Sequence, residues 1–100
     1  MPLEVHWSRL ARRDLVRILE YCGQRDPDWA IAVDEAIATK LEFLSEFPYL
    51  SDPLPPTSRG ERREALAGDY RIVFSVNEDE QRLYVISLRH VRQADPDFSE

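Results

Sequence analysis

Hydrophobic residues alternate with polar residues at the start of the chain and then recur at every third or fourth position. Leu3, Val5 and Trp7 are separated by polar residues, which is the two-residue period of a half-buried strand. A first helix is predicted from an N-cap at Ser8 to about Gly23, a residue type that suits the left-handed position after a helix. The apolar positions of this helix form one stripe, composed of Ala11, Leu15, Ile18, Leu19 and Cys22.

A second helix is predicted to begin at Asp26-Pro27 and to end at Pro48. Asp26 suits the N-cap, and Pro27 suits the first helical position, where its missing N–H costs nothing. The apolar stripe of this helix contains Ala30, Val33, Ile37, Leu41 and Leu44, and we expect Phe43 and Phe47 to widen it near the end. Because the connection at residues 23–25 is short, the two helices are expected to form an antiparallel hairpin.

The second half of the chain has the pattern of a sheet. Residues 48–58 contain four prolines, so this connector is predicted to lack regular structure. Residues 60–92 then read as three strands separated by turns at Gly68-Asp69 and at residues 77–80. On the middle strand Tyr70, Ile72, Phe74 and Val76 alternate with Arg71, Val73 and Ser75, and on the last strand Tyr84, Ile86 and Leu88 oppose Leu83, Val85, Ser87 and Arg89.

These elements predict one α+β domain over residues 1–100, since 100 residues are too few for two independent cores. An N-terminal strand and an antiparallel helix hairpin are expected to pack on a small, mainly antiparallel sheet, in the order β-α-α-β-β-β. The sheet face away from the helices is expected to carry Arg71, with Arg89 as a further candidate, and it is where we look for function.

Charge is distributed unevenly along a chain whose net charge is −6. Residues 26–52 contain seven acids and one base, whereas residues 59–92 contain seven arginines and six acids. All the basic residues are arginine except Lys40, and arginine suits bidentate pairing with carboxylate or phosphate. The negative net charge argues against a partner that is bound chiefly through nonspecific attraction to phosphate.

Composition excludes several other classes of protein. No apolar run approaches the roughly 18 residues of a membrane span, and the first residues do not resemble a secretory signal. Cys22 is the single cysteine, so neither an internal disulfide nor a thiolate metal cluster is expected. We therefore predict a cytoplasmic protein with no cofactor, no metal and no membrane partner.

The candidate functional residues are mostly arginines of the sheet region. The candidate partner-binding residues are Arg59, Arg62, Arg63, Arg71, Arg89 and Arg92. Two interpretations remain open for Arg71, because it can either serve a partner or simply pair with Glu64 across the hairpin. His90, at the end of the last strand, is either a titratable catalytic group or a structural histidine.

The order of elements and several motifs together resemble the RelE/ParE toxin superfamily of bacterial toxin–antitoxin modules. The resemblance covers nearly the whole chain, and includes Asp26-Pro27 at the start of the second helix and Phe47-Pro48 at its end. Its most specific parts are Gly68-Asp69-Tyr70-Arg71-Ile72-Val73-Phe74-Ser75-Val76 and Val85-Ile86-Ser87-Leu88-Arg89-His90-Val91-Arg92, followed by Asp95-Pro96.

This resemblance implies one of two mechanisms. RelE-like toxins cleave messenger RNA on the ribosome without a metal, and Arg71 matches the arginine that stabilises phosphate charge in them, with His90 as a further catalytic candidate. ParE-like toxins have a similar fold but act on DNA gyrase. Either kind is expected to form a hetero-oligomeric complex with a cognate antitoxin, and Leu50, Leu54 and Phe98 are candidates to line or cover an apolar groove for it.

The sequence departs from the nuclease pattern. Cleavage by 2′-OH attack needs a base, an acid and cations around the phosphate, but the sheet has no lysine and no tyrosine follows Tyr84. A gyrase-binding toxin without catalytic activity is therefore favoured, a ribosome-dependent endoribonuclease is the alternative, and a non-toxic binding module of the same fold is a third hypothesis.

Overall fold

Two helices cover one face of a five-stranded sheet in the computed structural model, which describes residues 2–58 and 60–92. The elements are β1 (Glu4–Trp7), α1 (Arg9–Arg25), α2 (Pro27–Glu46), a 3-10 turn (Pro48–Leu50), β2 (Asp52–Pro53), β3 (Arg63–Ala67), β4 (Tyr70–Asn77) and β5 (Arg82–His90). The strand order is β1-β5-β4-β3-β2, in which only the pair of β1 and β5 is parallel. The predicted α+β architecture is confirmed.

The predicted helix boundaries are correct except at Gly23. Ser8 caps α1 by accepting a hydrogen bond from Ala11 N at 3.0 Å, and Asp26 caps α2 by accepting one from Asp28 N at 3.0 Å. Gly23, however, lies inside α1, which continues to Arg25. Asp26 ends α1 in extended backbone and donates its own N–H to Cys22 O, so no left-handed glycine is needed there.

The core lies between the helices and the inner face of the sheet. Its fully buried large side chains include Ile37, Leu44, Ile72, Phe74, Leu83, Val85 and Leu88. Phe43 and Phe47 were expected to join the stripe of α2, but this expectation is wrong, since they are 41% and 49% exposed. The proline-rich connector is also more ordered than expected, because it contains the 3-10 turn and the two residues of β2.

A bulge on β5 reverses the alternation of its side chains. Phe74 pairs with Val85 and Val73 pairs with Ser87, so Ile86 is an extra residue. Leu83 and Val85 therefore face the core before the bulge and Leu88 faces it afterwards.

Groups of α1 bind the backbone at this bulge. The Ser8 side chain donates a hydrogen bond to Ile86 O at 2.9 Å, and Ser8 N donates to Val85 O at 2.9 Å. Six residues further on, Asp14 is 5% exposed and its Oδ2 accepts a hydrogen bond from Leu88 N at 3.0 Å. Since Leu88 N meets a carboxylate at this point, the first helix stabilises the irregular part of the last strand.

No helix among residues 2–58 and 60–92 is long and apolar enough to cross a bilayer.

Candidate functional site

The face of the sheet away from the helices, here called the outer face, brings two of the candidate arginines together. Arg71 on β4 lies directly opposite Arg89 on β5, and directly opposite partners in an antiparallel pair share a face. On β3, the strand on the other side of β4, Leu66 lies opposite Arg71. Arg71 and Arg89 therefore share the outer face; the sequence left the face of Arg89 open, because its alternation grouped Arg89 with Leu83 and Val85.

Arg71 forms the cross-strand ion pair that the sequence suggested. Its Nη1 lies 3.6 Å from Oε2 of Glu64, and the two side chains are 19% and 26% exposed. Glu64 pairs with Val73 in the ladder, so the ion pair runs diagonally across the hairpin. Partly exposed pairs of this kind contribute about 0–1 kcal/mol, so the pair orients the guanidinium more than it stabilises the fold.

Polar groups of the outer face retain hydrogen-bonding capacity. Ser87 is completely buried and its hydroxyl has no hydrogen-bond partner among the described residues, and the same holds for the shielded Nε of Arg89. Buried polar groups are normally paired, so these two donors are exceptions to the usual pattern.

The remaining arginines separate into different places. The Arg63 guanidinium donates to Ser51 Oγ at 2.8 Å and to Ser51 O at 2.7 Å, so it fastens the connector to β3. Arg62 lines a shallow pocket of about 190 Å³ together with Leu54 and Glu64, next to the outer face. Arg59 lies outside the described residues. Arg62, Arg71 and Arg89 therefore lie on or next to the outer face, whereas Arg63 binds the connector.

His90 and Arg92 lie away from the outer face. His90 pairs with Tyr70 in the ladder, and the two rings meet edge to face with centroids 5.3 Å apart. Tyr70 faces the helices, where its hydroxyl lies 3.6 Å from Cys22 Sγ. His90 and Arg71 are thus on opposite faces of the sheet. Arg92, exposed beyond the strand, donates its backbone N–H to His90 Nδ1 at 3.1 Å.

Burial gives Tyr70 an unusual titration. It raises the pKa of Tyr70 to about 12 from an ordinary 10.0, and the hydrogen bond with Cys22 adds to the effect. The unfolded chain therefore loses this proton before the folded chain does, so the free energy of unfolding is expected to fall as pH rises from about 10 to about 12.

Urea unfolding between pH 9 and 12 tests this expectation. Tyr70→Phe should remove part of the fall in stability, whereas the control Tyr21→Phe, at a residue that is 52% exposed, should retain the fall. Equal pH profiles for the native chain and Tyr70→Phe would contradict the assignment.

A groove between α2 and the edge of the sheet, here called the α2–β3 groove, was not predicted at this position. It encloses about 650 Å³ and is lined by Ala32, Glu35, Ala36, Thr39, Lys40, Phe43, Leu66, Ala67 and Gly68. Strand β2 pairs only with Arg63 and Glu64, so the edge of β3 beyond them has no ladder partner among the described residues. Phe43 and Leu66, the large apolar side chains among these residues, are 41% and 55% exposed.

The residues that were expected to line an apolar groove lie elsewhere. Leu50 is 73% exposed, Leu54 lines the shallow pocket beside Arg62, and Phe98 lies outside the described residues. A signal for the α2–β3 groove does exist in the sequence, because Ala32, Ala36 and Phe43 form a second stripe at helical spacing beside the core stripe.

Within the described part of the chain, no group of three or more His, Cys, Asp or Glu side chains is arranged to hold a metal ion.

The fold of this chain is similar to chains in solved bacterial and archaeal complexes. The chain matches the RelBE2 toxin–antitoxin complex of Mycobacterium tuberculosis with a TM-score of 0.64 and 22% identity, over 90% of this chain and 99% of that chain. It matches the chromosomal ParDE system of Pseudomonas aeruginosa with a TM-score of 0.70 and 16% identity, over 88% and 95% of the two chains. It matches the archaeal RelE–RelB complex of Pyrococcus horikoshii with a TM-score of 0.64 and 20% identity, over 94% of this chain and 100% of that chain.

Comparison of the sequence identifies the family. A search of curated protein sequences gave no significant match. Residues 5–95, however, match the family described as the ParE toxin of the type II toxin–antitoxin system parDE. Because this match spans most of a chain that also has the RelE/ParE fold, the protein belongs to the ParE toxin family of type II toxin–antitoxin systems.

Proposed function

We propose that this toxin binds and inhibits DNA gyrase in the cytoplasm without catalysing a reaction, and that a cognate antitoxin neutralises it. The observation that carries the proposal is the position of Arg71 and His90 on opposite faces of the sheet. RNA cleavage needs a cation and acid–base groups at the same phosphate. An arginine and a histidine separated by the thickness of the sheet do not meet this requirement, whereas a binding surface needs no such convergence.

The outer face is the part of the molecule that we assign to the target. Arg71 and Arg89 lie side by side, and Arg62 lies at the margin of the same face. Arginine is enriched where proteins bind each other, because its guanidinium forms paired hydrogen bonds at low desolvation cost. The net charge of −6 also disfavours the ribosome, whose surface is rich in phosphate.

The α2–β3 groove is the surface that we assign to the antitoxin. It combines exposed apolar side chains with a strand edge that has no ladder partner among residues 2–58 and 60–92. An extended segment can bind such an edge through backbone hydrogen bonds while its side chains enter the groove. The solved relative from M. tuberculosis is a toxin–antitoxin complex, and the one from P. horikoshii is a RelE–RelB complex.

Induction of the chain without its antitoxin tests the proposal. We expect growth inhibition and reduced negative supercoiling of a reporter plasmid, with no new 5′ ends in translated messages. For Arg71→Ala, the amount of toxin needed for the same inhibition should rise at least tenfold, because this variant removes a guanidinium from the binding face. Arg82→Ala is the matched control, since Arg82 lies near Glu4 and Glu80 at the other end of the sheet.

Two results would contradict the proposal. New 5′ ends on translated messages with unchanged supercoiling would favour the ribosome-dependent endoribonuclease. Unimpaired growth at full expression would favour a non-toxic binding module.

A further inference from the structure

A cleft at one end of the helix hairpin lies apart from both surfaces described above. It encloses about 480 Å³ between α1, the start of α2 and the ends of β4 and β5. This volume is within the range of about 300–1,000 Å³ that small-molecule sites occupy. The residues that line it and that carry polar or aromatic groups are Arg17, Tyr21, Trp29, Tyr70, His90 and Arg92.

The cleft is cationic in an acidic protein. Arg17 comes from α1 and Arg92 from the residues after β5, so two arginines that are distant in sequence line one cavity. No aspartate or glutamate is among the described residues that line it, although the chain contains 19 acids. Asp69, the neighbour of Tyr70 in sequence, is a carboxylate close enough to influence that hydroxyl. Guanidinium pairs of this kind select phosphate or carboxylate groups.

One wall of the cleft is aromatic. Tyr21 and Trp29 meet edge to face with centroids 6.0 Å apart, and they are 52% and 39% exposed. The Arg25 guanidinium lies 3.6 Å from the centroid of the Tyr21 ring and holds this side chain in place. Exposed aromatic rings beside cations are the combination on which planar bases stack while their phosphates are neutralised.

The floor of the cleft is fixed and uncharged. Tyr70 is only 7% exposed, and it is held by the contact of its hydroxyl with Cys22 and by the edge-to-face contact with His90. The Tyr70 hydroxyl is protonated near neutral pH, since its ordinary pKa of 10.0 is already well above neutrality and burial raises it to about 12. An anion that enters the cleft therefore meets a neutral hydroxyl at its base, although the Asp69 carboxylate acts on that hydroxyl from outside the lining.

We propose that this cleft binds a nucleoside phosphate, with the base against Trp29 and Tyr21 and the phosphates against Arg17 and Arg92. Both features are needed for this assignment. Two arginines alone would fit any small anion, and two aromatic rings alone would fit any apolar group. The proposal goes beyond the action on gyrase and does not depend on it, because the cleft shares no residue with the outer face.

Calorimetric titration of the full chain with ADP tests the proposal, with adenosine and inorganic phosphate as separate probes. We expect ADP to bind at least tenfold more tightly than either probe, and we expect salt to weaken binding because the attraction is partly electrostatic. Arg17→Ala and Trp29→Ala should each weaken ADP binding at least tenfold. Arg12→Ala, an exposed arginine on the same helix outside the cleft, should leave it unchanged.

Three outcomes would overturn the proposal. ADP that does not bind at millimolar concentration would exclude a nucleotide. ADP that binds no more tightly than inorganic phosphate would show that the aromatic wall takes no part. An equal loss of binding in Arg12→Ala and Arg17→Ala would show nonspecific attraction. Thermal unfolding of each variant confirms that it is folded.

Discussion

Replacing Phe74 by alanine is expected to destabilise the protein by about 3–5 kcal/mol, the usual cost of removing a fully buried phenylalanine. Phe74 is 0% exposed and lies on β4 beside the bulge, opposite Val85. Removal of the ring eliminates its burial and leaves a cavity that the backbone of the sheet cannot close. Since a domain of this size has a total stability of about 5–15 kcal/mol, a large share of the molecules should unfold at moderate urea. Urea denaturation followed by circular dichroism measures the change.

Leu66→Ala is the matched control for Phe74→Ala. Leu66 lies on the neighbouring strand β3 but is 55% exposed, so its truncation should change stability by less than about 0.5 kcal/mol. If the two variants lost equal stability, the assignment of Phe74 to the core and of Leu66 to the surface would be wrong.

Replacing Asp14 by alanine is expected to cost about 2–3 kcal/mol. The carboxylate is 5% exposed and accepts a hydrogen bond from Leu88 N, which lies after the bulge. Hydrogen bonds to charged groups are stronger than neutral ones, and the N–H left behind would be buried without an acceptor. The free energy of unfolding from urea denaturation again measures the effect, and exchange of the Leu88 amide proton should accelerate beyond the exchange of its neighbours.

Two further variants separate the hydrogen bond from the loss of charge. Asp14→Asn keeps an acceptor oxygen, so it should lose less than about half as much stability as Asp14→Ala. Asp34→Ala removes an exposed acid from α2 and should be nearly neutral. Equal losses for Asp14→Asn and Asp14→Ala would mean that the charge, and not the hydrogen bond, is what matters.

The architecture was predictable because its signals are local. The alternation of Leu3, Val5 and Trp7, the capping residues Ser8 and Asp26, and the stripes of the helices each depend on a few adjacent residues. The errors arose where distant parts of the chain decide the outcome.

Asp14 illustrates what local patterns miss. It lies three residues after Ala11 and four before Ile18, so it occupies a position of the apolar stripe. A charged residue at such a position is a recognisable anomaly, but its partner, the backbone of Leu88, is 74 residues away and cannot be read from spacing.

The candidate site was predictable only in part, for the same reason. Strict alternation along β5 would place Arg89 with Leu83 and Val85 on the core side and would turn His90 toward the outer face. The extra residue Ile86 reverses this, so Arg89 joins Arg71 and His90 packs on Tyr70. The bulge therefore determines which residues share the outer face, and a binding surface is favoured over an RNA-cleaving site.

The most direct test of the central claim is a supercoiling assay with purified gyrase and an excess of the purified toxin. We expect supercoiling to be inhibited in proportion to the toxin concentration, and we expect Arg71→Ala but not Arg82→Ala to weaken the inhibition at least tenfold. Normal supercoiling in the presence of excess folded toxin would contradict the claim that this protein acts on gyrase.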